Sequence, residues 1–271
     1  MHDKRTNLSD AISTIADGSM IALGGNTIHR GPGLAVHELV RQQKTGLEIV
    51  KTAGAYDIDL LCAAGCATKV SAGYIGYESV FGLALAYRRA VEHGLVVAGE
   101  HACYTVIAGL RAAIQGVPFM PVAGLQGSDL PEARGFRWID DPYTGETVLA
   151  IPAMRPDVAI IHVHEADAFG NAIIHGSRYE DLLMVQAAKR VILTAEQIVD
   201  GDQFAEQPDR TTISSLYVTD VVAAPGGAWP FGMVGQYEPD LAYLTEFTTA
   251  TKDASTLSTF IADHILVGAV V

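Results

Sequence analysis

Residues 17–32 have the sequence DGSMIALGGNTIHRGP, and this stretch is the most informative part of the chain. Its continuously apolar run from Met20 to Leu23 predicts a strand buried on both faces, since a half-exposed strand alternates apolar and polar residues. Gly24 and Gly25 close the strand, and a helix is predicted from about Gly33 to Gln43. Glycines let the backbone turn sharply and let a ligand approach without meeting a β-carbon. The stretch therefore predicts a strand–turn–helix unit, and its turn is compatible with a plain connector or with a ligand site.

The same alternation continues along the rest of the chain. Further strands are predicted at residues 47–50, 69–72, 95–98, 158–163 and 191–194, with helical segments between them. Strands that alternate with helices predict an α/β protein with a mostly parallel open sheet and helices on both faces. In such sheets ligands bind outside the carboxyl ends of the strands, which is where the glycine pair lies.

Two regions depart from the alternation. Residues 118–150 are rich in Pro, Gly and paired charges, and they predict a long loop with a hairpin near residues 141–145. The stretch from about Asp253 to Ile265 predicts a final helix. Because no shift in composition divides the chain, residues 1–271 are predicted to form a single domain.

The charge balance limits the possible partners. The chain has 18 Lys and Arg against 31 Asp and Glu, a net charge of −13. A protein that binds duplex nucleic acid needs a cationic surface to release counterions, and no basic stripe occurs here, so no nucleic acid partner is predicted. An anionic cofactor remains compatible with the charge, because backbone N–H groups at a helix start can bind it.

The sequence also suggests a compartment. The first residues lack the apolar stretch of a signal peptide, and no run of 18 uncharged apolar residues predicts a membrane span. The chain has three cysteines, Cys62, Cys66 and Cys103. An odd number of cysteines in a long chain fits a reducing compartment better than a disulfide framework, so a cytoplasmic location without membrane attachment is expected.

Residues 17–32 resemble the signature of class I coenzyme A transferases. That signature has Asp-Gly, two spacers, three apolar residues, Gly-Gly-Phe, three spacers, Gly, one spacer and Pro. The chain departs from it at Asn26, where the family usually has Phe, and at Arg30, where it usually has Gly. Arg30 before Pro32 is more similar to the alpha subunits of glutaconate CoA-transferases. Five further stretches resemble those subunits in the same order: residues 116–121, 127–130, 156–171, 187–199 and 224–228. The resemblance therefore covers about residues 5–230.

This resemblance implies a reaction and a partner. It implies an alpha subunit of a heteromeric CoA-transferase, which moves CoA between an acyl-CoA thioester and a small carboxylic acid without a tightly bound cofactor. In the family a glutamate takes the acyl group and CoA then attacks the resulting anhydride. The chain contains no beta-type Glu-Asn-Gly motif, so a beta-type subunit is expected to supply the nucleophile in a heterodimer or heterotetramer. The resemblance assigns substrate binding to Gly24, Gly25, Asn26, Arg30 and Cys103.

Glu100 is the candidate catalytic residue of the chain itself. It stands between the predicted strand 95–98 and a predicted helix that begins at Tyr104, where the helix dipole favours an ionised carboxylate. Without the resemblance, a capping or solvated carboxylate is the simpler interpretation. In the family, the corresponding turn of several members faces the acyl thioester. In 3-oxoacid transferases a Gln at the position of Cys103 helps to hold the thioester oxygen, and Cys103 cannot donate in that way.

Two alternative functions stay open. Homologous alpha/beta pairs that open the last steroid rings use water to cleave a carbon–carbon bond of a cyclic acyl-CoA, and the resemblance makes Glu100 the candidate base for that reaction. A non-catalytic acyl-CoA binding protein is the other alternative. A beta-type partner with a nucleophilic glutamate favours transfer, and a partner without it favours hydrolysis.

No metal site is predicted. Cys62 and Cys66 lack a second pair of ligands, so buried structural roles are expected for both. His162 and His164 alternate with apolar residues on a strand and so share one face, close to Glu165 and Asp167. Packing or hydrogen bonding is the preferred interpretation for these two histidines.

Overall fold

Strands and helices alternate along most of the chain. The computed structural model describes residues 2–267; Met1 and residues 268–271 of the predicted domain lie outside this range. The strands are β1 (Arg5–Thr6), β2 (Met20–Leu23), β3 (Leu47–Gly54), β4 (Ala67–Ile75), β5 (Val97–Glu100), β6 (Phe119–Val122), β7 (Arg137–Asp140), β8 (Thr147–Pro152), β9 (Val158–Ala166), β10 (Ala172–Ile173), β11 (Arg190–Ile198) and β12 (Asp220–Ala223). The α-helices are α1 (Leu8–Ser13), α2 (Gly33–Arg41), α3 (Tyr56–Ala63), α4 (Glu78–Phe81), α5 (Leu85–Glu92), α6 (Cys103–Ile114), α7 (Leu130–Arg134), α8 (Asp181–Ala187), α9 (Asp202–Glu206), α10 (Leu241–Ala250) and α11 (Ala254–Ile261).

The main sheet is open and mostly parallel. Its strand order is β1-β12-β11-β9-β2-β3-β4-β5, and the short strand β10 pairs antiparallel with β9. Strand β2 lies inside the sheet, where Ile21 pairs with Ile49 of β3 and with Val158 of β9. This interior place explains why β2 is apolar throughout, and the structure confirms both its predicted bounds and the predicted class of sheet.

Helices cover both faces of the main sheet, as predicted. On one face α1, α2 and α3 and the C-terminal helices pack together, and their side chains Ile12, Leu39 and Phe247 are fully buried. On the other face α6 and α8 contribute Leu110 and Met184, which are also fully buried. Burial of one such side chain stabilises the fold by about 1.5–3 kcal/mol. None of the helices among residues 2–267 is long and apolar enough to cross a membrane.

The prediction of a long loop over residues 118–150 is wrong in part. The hairpin near residues 141–145 is present and joins β7 to β8, and β6 pairs with the other edge of β8. These three antiparallel strands form a separate small sheet, and α7 lies between β6 and β7. The side chains of Leu149 and Ile151 are buried with Ala108 of α6. The short strands gain their stability from this packing, which the Pro- and Gly-rich composition does not indicate.

Several elements differ from their predicted bounds: β3, β4, β9 and β11 are longer than predicted, and α2 ends two residues earlier. Strand β5 begins two residues later than predicted, because the amide groups of Leu95 and Val96 donate to the Ala90 carbonyl and so close α5. Glu100 is therefore the last residue of β5 and not part of the following turn. The predicted C-terminal helix exists as α11, and a π-helical turn over Ala262–Leu266 continues it.

Candidate active site

The glycine turn after β2 lies at the carboxyl edge of the sheet and folds back on itself. The amide of Asn26 donates to the carbonyl of His29 over 2.9 Å. Gly25 has a φ of +73°, and a β-carbon added there would lie 2.5 Å from the carbonyl carbon of Arg30. Gly25 is thus required by the turn itself, in agreement with the predicted sharp turn. A β-carbon on Gly24 would lie 3.0 Å from Ile161 Cδ1, so protein atoms also fill the space beside that glycine.

A buried ion pair holds the glycine turn against the neighbouring elements. Arg30 Nη1 lies 2.5 Å from Asp181 Oδ2, and the two side chains are 4% and 0% exposed. The guanidinium also donates to the carbonyls of His162 and Ser177, over 3.0 and 3.1 Å. Asp181 in addition accepts the amide of Gly25 over 2.9 Å. These contacts use the charge of Arg30 within the fold, whereas the resemblance assigns this residue to substrate binding.

A second buried ion pair lies beneath the turn. Lys51 Nζ is 2.5 Å from Asp57 Oδ2 and donates to the carbonyl of Gly24 over 2.9 Å. Both charged side chains are fully buried. Sequence reasoning missed this pair because the predicted strand ended at Val50; the structure extends the strand through Lys51, and a lysine buried there requires a counter-charge. Because the ammonium donates to the Gly24 carbonyl, the ion pair holds the start of the glycine turn against β3.

Cys103 contributes to the neighbouring part of the edge. Its Sγ lies 3.5 Å from the carbonyl of Thr52, whose hydroxyl donates to Glu180 Oε2 over 2.5 Å. Partial burial and the charge of Glu180 raise the pKa of the Cys103 thiol, which therefore stays protonated at neutral pH. The structure thus places Cys103 at the edge beside two residues that sequence reasoning missed, Thr52 and Glu180.

Glu100 stands apart from this group. It pairs in register with Ala72, so its side chain leaves the sheet on the face that carries α5. The carboxylate is exposed, and among residues 2–267 it has no hydrogen-bond or ion-pair partner. Its charge adds to burial and to Cys62 in raising the pKa of Tyr87 on α5 to about 12. Glu100 and Cys103 are three residues apart in the chain, but no hydrogen bond joins them in the described part of the molecule.

The two predicted strand histidines are hydrogen-bonded, as expected. His162 is fully buried, and its Nε2 lies 2.8 Å from Glu196 Oε1. Glu196 also accepts from the hydroxyl of Tyr237 and from the amide of Gly226. Burial opposes ionisation of Glu196, but the hydrogen bonds outweigh it and lower the pKa of its carboxyl group. His164 Nε2 donates to the carbonyl of Val234 over 3.0 Å.

The predicted structural roles of two cysteines are also confirmed. Cys62 and Cys66 are buried, and burial raises the pKa of the Cys66 thiol to about 11. Within residues 2–267 no three His, Cys, Asp or Glu side chains are grouped as a metal site would require.

Known proteins share this fold and sequence. A profile of coenzyme A transferases matches residues 5–224. The chain belongs to the coenzyme A transferase family. The A-type subunit of glutaconate CoA-transferase from Acidaminococcus fermentans is 31% identical, and the match covers 97% of this chain and 88% of that protein. The crystal structure of that enzyme superposes with a TM-score of 0.92 over 97% of this chain and 89% of the matched chain.

Two other relatives differ from the glutaconate CoA-transferase subunit, one in its length and the other in the reaction for which it is named. An uncharacterized protein of Archaeoglobus fulgidus is 39% identical over 93% of this chain, but this chain spans only 57% of that protein. A protein named cholesterol ring-cleaving hydrolase IpdA subunit, from Mycobacterium tuberculosis, is 33% identical over 84% of this chain and 81% of its own length. The family therefore includes relatives named for transfer and relatives named for hydrolysis.

Proposed function

We propose that the chain is the alpha-type subunit of a heteromeric enzyme that moves CoA between an acyl-CoA thioester and a carboxylic acid. The observation that carries this proposal is the likeness to the A-type subunit of glutaconate CoA-transferase, which extends over 97% of the chain with a TM-score of 0.92. A beta-type subunit is the proposed partner, in a heterodimer or heterotetramer. The CoA thioester acts as substrate, without a tightly bound cofactor.

The chemistry of the carboxyl edge supports the need for a partner. The charges of Arg30, Lys51 and Asp57 are buried in ion pairs, and the Cys103 thiol has a raised pKa. These groups can form one rigid side of a binding site, but none of them is an ionised, accessible nucleophile. As the resemblance to the transferase alpha subunits implies, a nucleophilic carboxylate is assigned to the beta-type subunit, and the glycine turn and the Cys103 region are assigned to the binding of the thioester.

The proposed reaction then proceeds through covalent exchange on the partner. A carboxylate oxygen of the partner attacks the thioester carbonyl, the C–S bond breaks, and CoA leaves as the thiolate. The thiolate attacks the enzyme-derived carbonyl of the resulting anhydride, which releases the first carboxylate and leaves CoA as a thioester on the partner. The acceptor carboxylate reverses these steps and departs as the new acyl-CoA. Every bond that forms is matched by one that breaks, so no external reductant or oxidant is needed.

Hydrolysis is the second candidate function. The specific observation in its favour is Glu100, an exposed carboxylate at the carboxyl end of β5 without a partner among the described residues. Such a group is free to accept a proton from water that attacks a cyclic acyl-CoA. The relative from Mycobacterium tuberculosis is named for ring cleavage of this kind. A chain that only binds acyl-CoA, without turnover in any complex, is the third outcome.

The discriminating experiment uses the complex reconstituted with a beta-type subunit. Borohydride should trap an enzyme–CoA thioester on the partner of the wild-type complex if the enzyme is a transferase. Glu100→Gln should then change the turnover number only slightly, because the covalent chemistry belongs to the partner. If the enzyme is a hydrolase, no thioester is trapped and Glu100→Gln lowers turnover by about 10²–10⁴-fold, the usual contribution of a general base. Glu92→Gln is the matched control, since Glu92 is an exposed glutamate whose side chain is 57% exposed on α5.

A further inference from the structure

Arg134 lies over the turn that joins β5 to α6. It ends α7, which lies beside β5 and contains the buried Pro131, and the buried ring of Phe136 follows it. The Nη2 atom of Arg134 is 3.0 Å from Nε2 of His101, the residue directly after Glu100. Its guanidinium carbon also lies 5.6 Å from the centre of the Phe136 ring. Helix α7, which connects two strands of the small sheet, thus places the guanidinium of Arg134 at the carboxyl edge of the main sheet.

The hydrogen bonds of His101 identify its protonation state. An arginine can only donate, so Nε2 of His101 accepts and the ring is neutral. Nδ1 then carries the proton and donates to the Thr105 hydroxyl over 2.8 Å, and that hydroxyl donates to the Ala102 carbonyl over 2.8 Å. Burial, assisted by Arg134 and Lys69, lowers the pKa of His101 to about 4, in agreement with a neutral ring. The guanidinium is therefore positioned by a neutral group, which leaves its positive charge uncompensated.

The charge of Arg134 has no counter-charge within the described chain. Five arginines of the described chain lie within ion-pair distance of a carboxylate, namely Arg5, Arg30, Arg41, Arg88 and Arg190, and Arg134 is among those that do not. Among residues 2–267 no carboxylate is that close to Arg134, and its buried Nε–H finds no acceptor. A buried donor on a cation without an acceptor costs about 1–3 kcal/mol or more. Arg134 is only partly buried, so the end of its guanidinium can reach a bound anion, which would supply the missing counter-charge.

We propose that Arg134 binds an anionic oxygen group of the substrate and so determines which substrates are accepted. The group is either a second carboxylate on the acyl portion or the 3′-phosphate of CoA. The planar guanidinium fork matches both groups, and the carboxyl edge of an open α/β sheet is where ligands bind. The inference rests on the proposed function, because it takes the segment from Glu100 to Cys103 to face the substrate. The proposed role of Arg134 is separate from the role of Glu100.

The test compares Arg134→Met, which keeps the apolar stem, with wild type in the reconstituted complex. Arg137→Met on β7 is the matched control, since Arg137 is an exposed arginine three residues away. Glutarate and pentanoate serve as acceptors, and the donor is supplied as the acetyl thioester of CoA or of dephospho-CoA. Loss of a charge-assisted hydrogen bond is expected to raise a KM by about 10–100-fold. If Arg134 binds a carboxylate, the rise is confined to glutarate; if it binds the 3′-phosphate, the rise is confined to the CoA donor.

A readout without turnover separates this inference from the proposed function. Glutaryl-CoA should raise the midpoint of thermal unfolding of the wild-type complex and of Arg137→Met more than that of Arg134→Met. In the absence of ligand, Arg134→Met should unfold close to the temperature of wild type, because removal of an uncompensated charge offsets the lost hydrogen bond to His101. These shifts are expected even if the complex proves to be a hydrolase. Equal KM changes for every substrate pair, or weaker association with the partner as the only effect, would overturn the inference.

Discussion

The buried pair of Lys51 and Asp57 offers the sharpest test of how the glycine turn is supported. The substitution Lys51→Met keeps the length and the apolar stem of the side chain but removes the ammonium. Asp57 then remains buried with the amides of Ala55 and Ile58 as its only hydrogen-bond donors among the described residues, and the Gly24 carbonyl loses its donor from Lys51. Removal of one partner from a buried ion pair typically destabilises a protein by about 3–5 kcal/mol. This is a large part of the usual total stability of about 5–15 kcal/mol.

The assay is urea unfolding of Lys51→Met followed by far-UV circular dichroism. Lys69→Met is the matched control, because Lys69 pairs with Glu48 at 3.0 Å but its side chain is 36% exposed. Its loss should cost at most about 1 kcal/mol. The double variant Lys51→Met with Asp57→Asn should recover part of the stability, because no uncompensated charge is left. The reasoning would be refuted by a Lys51→Met variant as stable as Lys69→Met, or by a double variant less stable than Lys51→Met alone.

The remaining predictions concern the turn, the pH dependence and the partner. Gly25→Ala should reduce both stability and activity of the complex, since the new β-carbon would lie 2.5 Å from the Arg30 carbonyl; Gly18→Ala, with a φ of +77° and nothing within 4 Å, should lose only about 1–2 kcal/mol in the same urea assay. The neutral His101, with a folded pKa of about 4 against an ordinary 6.5, should make wild type lose up to about 3 kcal/mol of unfolding free energy as pH falls from 6.5 to 4. The unfolded chain takes up the proton first, so His101→Gln should show a shallower pH dependence, and parallel curves would contradict this. The purified chain without a beta-type subunit should show no CoA transfer, and turnover by the isolated chain would disprove the need for a partner.

Several features of the protein follow from the sequence alone, because they depend on local physical chemistry. A strand buried on both faces must be continuously apolar, and this requirement gives the bounds of β2 correctly. The positive φ of Gly25 demands a glycine wherever the chain turns in this way, so the glycine pair by itself indicates the sharp turn at the carboxyl edge. Resemblance over ordered stretches likewise indicates the family to which the chain belongs.

Only the tertiary structure decides which residues meet, because the order of strands in the sheet differs from their order in the chain. Strand β9 lies beside β2, which brings Asp181 to the amide of Gly25 across 156 positions of sequence. The place of β3 beside β2 likewise brings Thr52 to Glu180 across 128 positions. Pairing with β4 sets the register of β5, and this places Glu100 in the strand and not in the predicted turn. Local periodicity carries no information about such neighbours, since they are selected by the packing of distant apolar faces.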